Sequence, residues 1–159
     1  MRPVSQFLLI ALFISVFPSL QAAVIADENT PVRVAIFDFP KSGSSGHKNL
    51  MRFLIPQNGF QCTVISPEEI REGQLKNFDV VIMPGGSGSG QAKALQTEGR
   101  AAVRKFVKNG GGYVGICAGA YLASSHYNWS LDIINARVWD RSHWNRGKSN
   151  VTIQLTPAG

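Results

Sequence analysis

The feature that most constrains this chain is an alternation: four short apolar runs, each closed by a turn and followed by a helical pattern. Val32 to Phe39 (VRVAIFDF) is apolar, β-branched and aromatic, and predicts a buried parallel strand. Pro40 to Gly46 reads as a loop. Leu50, Phe53 and Leu54 recur at helical spacing with Arg52 opposite, predicting a helix from about His47 to Gln57 that Asn58-Gly59 ends. Gln61 to Ile65 predicts a second strand. Ser66-Pro67-Glu68-Glu69 then offers a cap, a proline suited to the first helical position and a capping-box glutamate, for a short helix ending near Gly73.

Asp79 to Met83 (DVVIM) predicts a third strand, stopped by Pro84-Gly85-Gly86. A long helix follows from about Gln91 to Lys108. Its inner stripe is Leu95, Ala102, Val103, Phe106 and Val107, with Arg100, Arg104, Lys105 and Lys108 mainly outside. Gly110-Gly111-Gly112 ends it. Tyr113 to Ile116 predicts a fourth strand that runs into Cys117 and a helix through about Ser125. Strands alternating with helices imply an α/β fold with a parallel sheet and right-handed crossovers. Beyond Tyr127 the rhythm weakens. Leu131 to Val138 and Val151 to Leu155 are candidate further strands, and WDRSHWNRGKSN between them reads as loop. The closing Thr156-Pro157-Ala158-Gly159 follows a candidate strand with no helix after it, so the chain reads as truncated there.

The 159 residues and 44% apolar content suit one domain with its own core. Met1-Arg2, the apolar run Phe7 to Phe17, Pro18 and small residues form a secretory signal pattern over 1–26, with cleavage after Ala22 or Ala26. The run is too short to span a bilayer, which leaves an exported domain over 27–159, periplasmic or secreted, with no stable membrane insertion after cleavage. The rival reading is an uncleaved anchor. The net charge of +6 falls to +5 without Arg2. No basic block or aromatic stacking pattern accompanies it, so it describes a solvated surface and no nucleic-acid partner is expected.

Gly115-Ile116-Cys117-Ala118-Gly119 carries the chemistry. It lies at a strand end and opens a helix, the pattern of a nucleophile elbow with Cys in place of Ser. Gly115 and Gly119 are required because helix and strand pack closely there. The sulfur then stands above the carboxyl edge of the sheet, where open α/β folds bind ligands, and the helix amino terminus favours a thiolate. The N–H of Ala118 is placed for an oxyanion, and Gly86 in the loop Met83 to Gly90 supplies a second donor. The same loop lacks the ending of a phosphate loop; its other rival reading is a flexible surface segment over Ser87 to Gly90. Cys117 also reads as a small packed core residue, the structural alternative. Cys62 begins a strand and Cys117 ends one, too far apart for a disulfide.

DVVIMPGG followed by a long helix and FVKNGGGYVGICAGAYLAS resembles the N-terminal domain of biotin–protein ligases and their stand-alone bacterial relatives, within the class I glutamine amidotransferase-like superfamily. The resemblance covers roughly Val32 to Gly159 and is tightest from Phe78 to Ser124; Arg146-Gly147 followed by VTIQLT also fits. It implies a three-layer sandwich with a mostly parallel, flavodoxin-like central sheet. It implies Cys117 in the nucleophile position, with Gly86 and Ala118 at the oxyanion hole. It implies nothing about biotin ligation, whose chemistry resides in another domain of those enzymes.

The rest of a triad does not follow. His126 is expected on the helix that opens at Cys117, about 13 Å along its axis. His143 falls in the polar loop. His47 and Asp38 sit at the elbow's edge of the sheet as spare candidates, with a cap or turn role as the rival for Asp38. Three functions remain open: a Cys-dependent amide hydrolase or amidotransferase, a binding module that keeps the elbow, and a redox-sensing thiol. A small-molecule or peptide ligand of unknown identity is expected, with no cofactor and no metal, since no Cys/His cluster has ligand spacing. Asn128-Trp129-Ser130 and Asn150-Val151-Thr152 match the glycosylation sequon and matter only in a glycosylating host.

Overall fold

The computed structural model describes residues 30–39, 46–138, 150, 152, 154 and 157. The leader, His143, Arg146-Gly147 and most of the Val151–Leu155 expectation lie outside the described residues.

Four strands form one parallel sheet: β1 (Val32–Phe37), β2 (Phe60–Ile65), β3 (Val80–Met83) and β4 (Gly112–Gly115), in the order β2-β1-β3-β4. This is the flavodoxin-like order, with β1 and β3 at the point where the chain reverses its direction of travel across the sheet. Helices α1 (Gly46–Leu50), α2 (Pro67–Arg71), α3 (Gly88–Lys108) and α4 (Ala118–Ala123) connect and flank the strands. Side chains alternate across a strand, so both faces of β1 are apolar because both are covered. Ala35, Phe37, Val81 and Met83 pack with Ile70, Leu95, Val103 and Leu122 from α2, α3 and α4. Val34, Ile36 and Ile82 pack on the other face with Leu50 and Leu54. Each such large side chain stabilises the fold by about 1.5–3 kcal/mol. Val114, which registers with Ile82, and Ile116 remain 44% and 41% exposed, so the second layer is thin over β4.

The capping box forms as expected: the Ser66 hydroxyl accepts from the Glu69 N–H at 3.2 Å, and the Ser66 N–H donates to the Glu69 carboxylate at 2.8 Å. The first helix is much shorter than the His47–Gln57 expectation. Pro56 holds Ile55 extended (φ −112°, ψ 160°), so the chain restarts as a 3-10 turn over Pro56–Asn58. Gly59, at φ 80°, closes that turn.

The long helix begins three residues earlier than expected. Ser87 caps it, its hydroxyl accepting the Gly90 N–H at 3.1 Å, so Ser87 to Gly90 is an anchored first turn rather than a loose segment. Gln96 (φ 60°, ψ −169°) breaks the helix in the middle. Two guanidinium groups serve carbonyls just before the break: Arg100 donates to Ala92 O at 3.1 Å and Arg71 to Ala94 O at 2.8 Å. Arg100 therefore turns back along α3 instead of standing out in solvent.

Leu131 to Val138 does not form a strand. Its first four N–H groups are taken by the end of α4: Leu131 donates to Leu122 O at 2.6 Å, Ile133 and Ile134 to Ala123 O, and Asp132 to Ser124 O. Terminal helix carbonyls need such donors, and this segment supplies them. The same contacts end α4 at Ala123, short of the expected Ser125.

α4 approaches the sheet backbone to backbone. A Cβ at Gly115 would lie 2.7 Å from the Gly119 carbonyl, and one at Gly119 would collide with the Met83 carbonyl. We expect Gly119→Ala to lose on the order of 3 kcal/mol in urea unfolding; a loss under half of that would show that helix and strand can separate at little cost. At the opposite end, Arg33 clamps Asp79 through Nη2 to Oδ1 (2.6 Å) and Nε to Oδ2 (3.0 Å). These hydrogen bonds hold the Asp79 carboxyl below its usual range. A depressed carboxyl stabilises the fold above its unfolded pKa and loses that contribution as the pH falls through the folded value. Asp79→Asn should therefore melt lower than wild type at pH 7, with the gap closing as the pH drops through the carboxylate range. The pair is half-exposed, so the gap should be small and shrink in high salt.

Candidate functional site

Three chain segments meet above the carboxyl edge. β1 runs into Asp38 and Phe39, β3 into Pro84-Gly85-Gly86, and β4 into Ile116 and Cys117. Cys117 has φ 52° and ψ −104°, a conformation that costs a non-glycine residue about 1–3 kcal/mol. Its surroundings impose it. The Ile116 N–H donates to Met83 O (2.9 Å), and the Cys117 carbonyl accepts from Ala120 (3.0 Å) and Tyr121 (3.2 Å). The Tyr113 hydroxyl donates to Gly119 O at 2.8 Å and ties strand to helix. Burial pushes the Tyr113 phenol far above its ordinary range, so it stays a donor.

The elbow exposes Cys117, which rules out the packed-core reading. Cys62 is partly buried on β2 opposite Val34, and burial pushes its thiol up. Neither cysteine is in a disulfide.

The glycine loop touches the elbow. A Cβ on Gly85 would lie 3.6 Å from the Cβ of Cys117, and one on Gly88 would meet Trp129 at 3.0 Å and Ala118 O at 3.2 Å. Gly86 adopts φ 130°, which only glycine enters freely. The N–H groups of Gly86 and Ala118 make no hydrogen bond to other described residues. Gln91 holds the loop from below: 1% exposed, it donates through Nε2 to Pro84 O at 2.6 Å. Sequence reasoning passed over Gln91, Tyr113 and Trp129. Only Gln91 carried a signal, as a polar residue one turn before Leu95 on the inner stripe.

Asp38 and His47 are brought together. Oδ2 of Asp38 lies 3.4 Å from Nδ1 of His47, with side chains 27% and 18% exposed. The β1 end is two strand spacings from the β4 end, about 10 Å. The pair and the thiol thus share an edge and flank the glycine loop from opposite sides. His126 is not on the elbow's helix: it lies beyond its end, its ring tilted by 41° against Tyr127 (centroids 3.9 Å), which stacks on Trp129 (4.4 Å). Among the described residues no three His, Cys, Asp or Glu side chains group as metal ligands.

Comparison with known proteins places this geometry in context. A 50-residue stretch is 36% identical to an uncharacterized protein of Chlamydia muridarum (strain MoPn / Nigg), covering 31% of this chain and 19% of that protein. A crystal structure from Listeria monocytogenes EGD-e, provisionally designated a peptidase E, aligns over 62% of this chain and 52% of its own, at 19% identity and a TM-score of 0.42. The chain thus spans about a fifth of the Chlamydia protein and about half of the Listeria one. A profile of the biotin-protein ligase N-terminal domain matches residues 40–142, well over half of the sequence. On that match the chain belongs to the biotin-protein ligase N-terminal family.

Proposed function

We propose that this glutamine amidotransferase-like domain is exported and acts on an amide or related carbonyl through Cys117. The observation that carries the reading is the exposed thiol held at positive φ against a glycine loop. The thiolate attacks the carbonyl carbon and a C–S bond forms. The resulting oxyanion accepts hydrogen bonds from the Gly86 and Ala118 N–H groups. Its collapse breaks the C–N bond, and the amine leaves with the proton that came from the thiol. Water then cleaves the thioester to a carboxylic acid and free Cys117. His47, oriented by Asp38, is the candidate proton carrier. Export rests on the Met1–Ala26 pattern.

A second reading, a binding module without turnover, is favoured by the separation of about 10 Å between the β1 and β4 ends. Iodoacetamide labelling followed by peptide mass spectrometry tests the nucleophile. At pH 7 Cys117 should be alkylated at least about tenfold faster than Cys62, which is partly buried and has a raised thiol pKa. Equal rates would remove Cys117 from the proposal. His47→Ala then separates the two readings. If the Asp38–His47 pair serves the thiol, acyl transfer from an amide panel falls by about 10²-fold. No turnover in wild type, with Cys117 still reactive, leaves the binding module.

A further inference from the structure

A cavity of about 550 Å³ opens at the other end of the molecule, at the amino edge of β3 and β4. It lies one β4 length, about 13 Å, from the elbow. Its volume falls within the range of small-ligand sites. The floor is apolar: Leu75 is 3% exposed, and Phe78 and Phe106 are partly buried beside it. Phe106 lies against Gly111, where a Cβ would collide with the ring.

The rim decides the ligand's charge. Lys76 and Lys105 line the opening, and neither ammonium group makes an ion pair or hydrogen bond to another described residue. Asp79, the acidic group of the lining, already accepts both guanidinium bonds and the backbone N–H of Arg33, so its charge is offset. The N–H groups of Gly73, Gly110 and Gly111 are spent on Ile70 O, Val107 O and Phe106 O. The backbone therefore offers no anion donors at these three positions, and recognition of an anion falls to the two lysines. The Asn109 side chain adds a neutral donor at the same rim.

We infer that this amino-edge cavity binds a small aromatic anion, its ring against Leu75, Phe78 and Phe106 and its carboxylate or phosphate between Lys76 and Lys105. The site is separate from the elbow and independent of whether Cys117 reacts.

An amide ¹⁵N–¹H NMR titration of the full chain with phenyl phosphate tests it. Saturable shifts should appear at Lys76, Phe78, Gly110 and Gly111 while Ala118 and Gly86 stay still. The double variant Lys76→Glu, Lys105→Glu changes only exposed side chains and should weaken binding by at least about tenfold. Benzyl alcohol, which has the ring without the charge, and inorganic phosphate, which has the charge without the ring, should each bind at least about tenfold more weakly than phenyl phosphate. No saturable shift at those amides overturns the site. Undiminished binding by the double variant overturns the role of the lysines, and equal binding of either control overturns the aromatic-anion assignment.

Discussion

Backbone meets backbone where α4 crosses the end of the sheet, and the whole carboxyl edge depends on that contact. Gly119 lies on the Met83 carbonyl and Gly115 lies under Gly119. With no side chain between them, the helix can begin directly at the strand's end, leaving a single turn to reverse the chain. Cys117 occupies that turn and takes up the strain. The burial of Leu122 and Ala118, and the Tyr113 bond to Gly119 O, offset a cost of about 1–3 kcal/mol. The thiol's exposure follows from this packing and needs no separate cause.

The same contact explains why the glycine loop belongs to the site. Met83 both receives α4 and leads into Pro84-Gly85-Gly86, so the position of Cys117 and the path of the loop are set by one carbonyl. Gln91 then fixes the loop from beneath through Pro84 O. The ends of β1 and β3 flank the point where the chain reverses across the sheet, the usual ligand crevice of such folds. Asp38 with His47 borders it on one side and Cys117 on the other.

Much of this was legible in the sequence because it rests on local chemistry. Ser66 and Glu69 announce a capping box, DVVIM a covered strand, and the glycines around Cys117 a close crossing. Pro56 is a local stop as well: it holds Ile55 extended and cuts off the helical spacing of Leu50, Phe53 and Leu54. Other features are tertiary and leave no local mark. Leu131 to Val138 has the composition of a strand, yet the carbonyls at the end of α4 claim its first four N–H groups. Gln96 is neither proline nor glycine, and the break there is supported by Arg71 from another helix. The meeting of Asp38 and His47 joins the end of β1 to the first turn of α1, a contact that spacing alone does not supply. His143 lies outside the described residues, so its expected place in the polar loop stands where the sequence left it.

The break at Gln96 also changes how the two ends of the molecule communicate. An unbroken 21-residue helix would act as a rod of about 30 Å, with Ser87 and the glycine loop at one tip and Lys105, Phe106 and the cavity rim at the other. A displacement at one tip would arrive at the other. With the backbone ladder interrupted at Gln96, and Arg100 alone reaching back across the gap to Ala92 O, the two segments are not one rod. The forward segment keeps its seat under the loop. The two edges of the sheet are thus linked along α3 through a joint and not through a rigid rod.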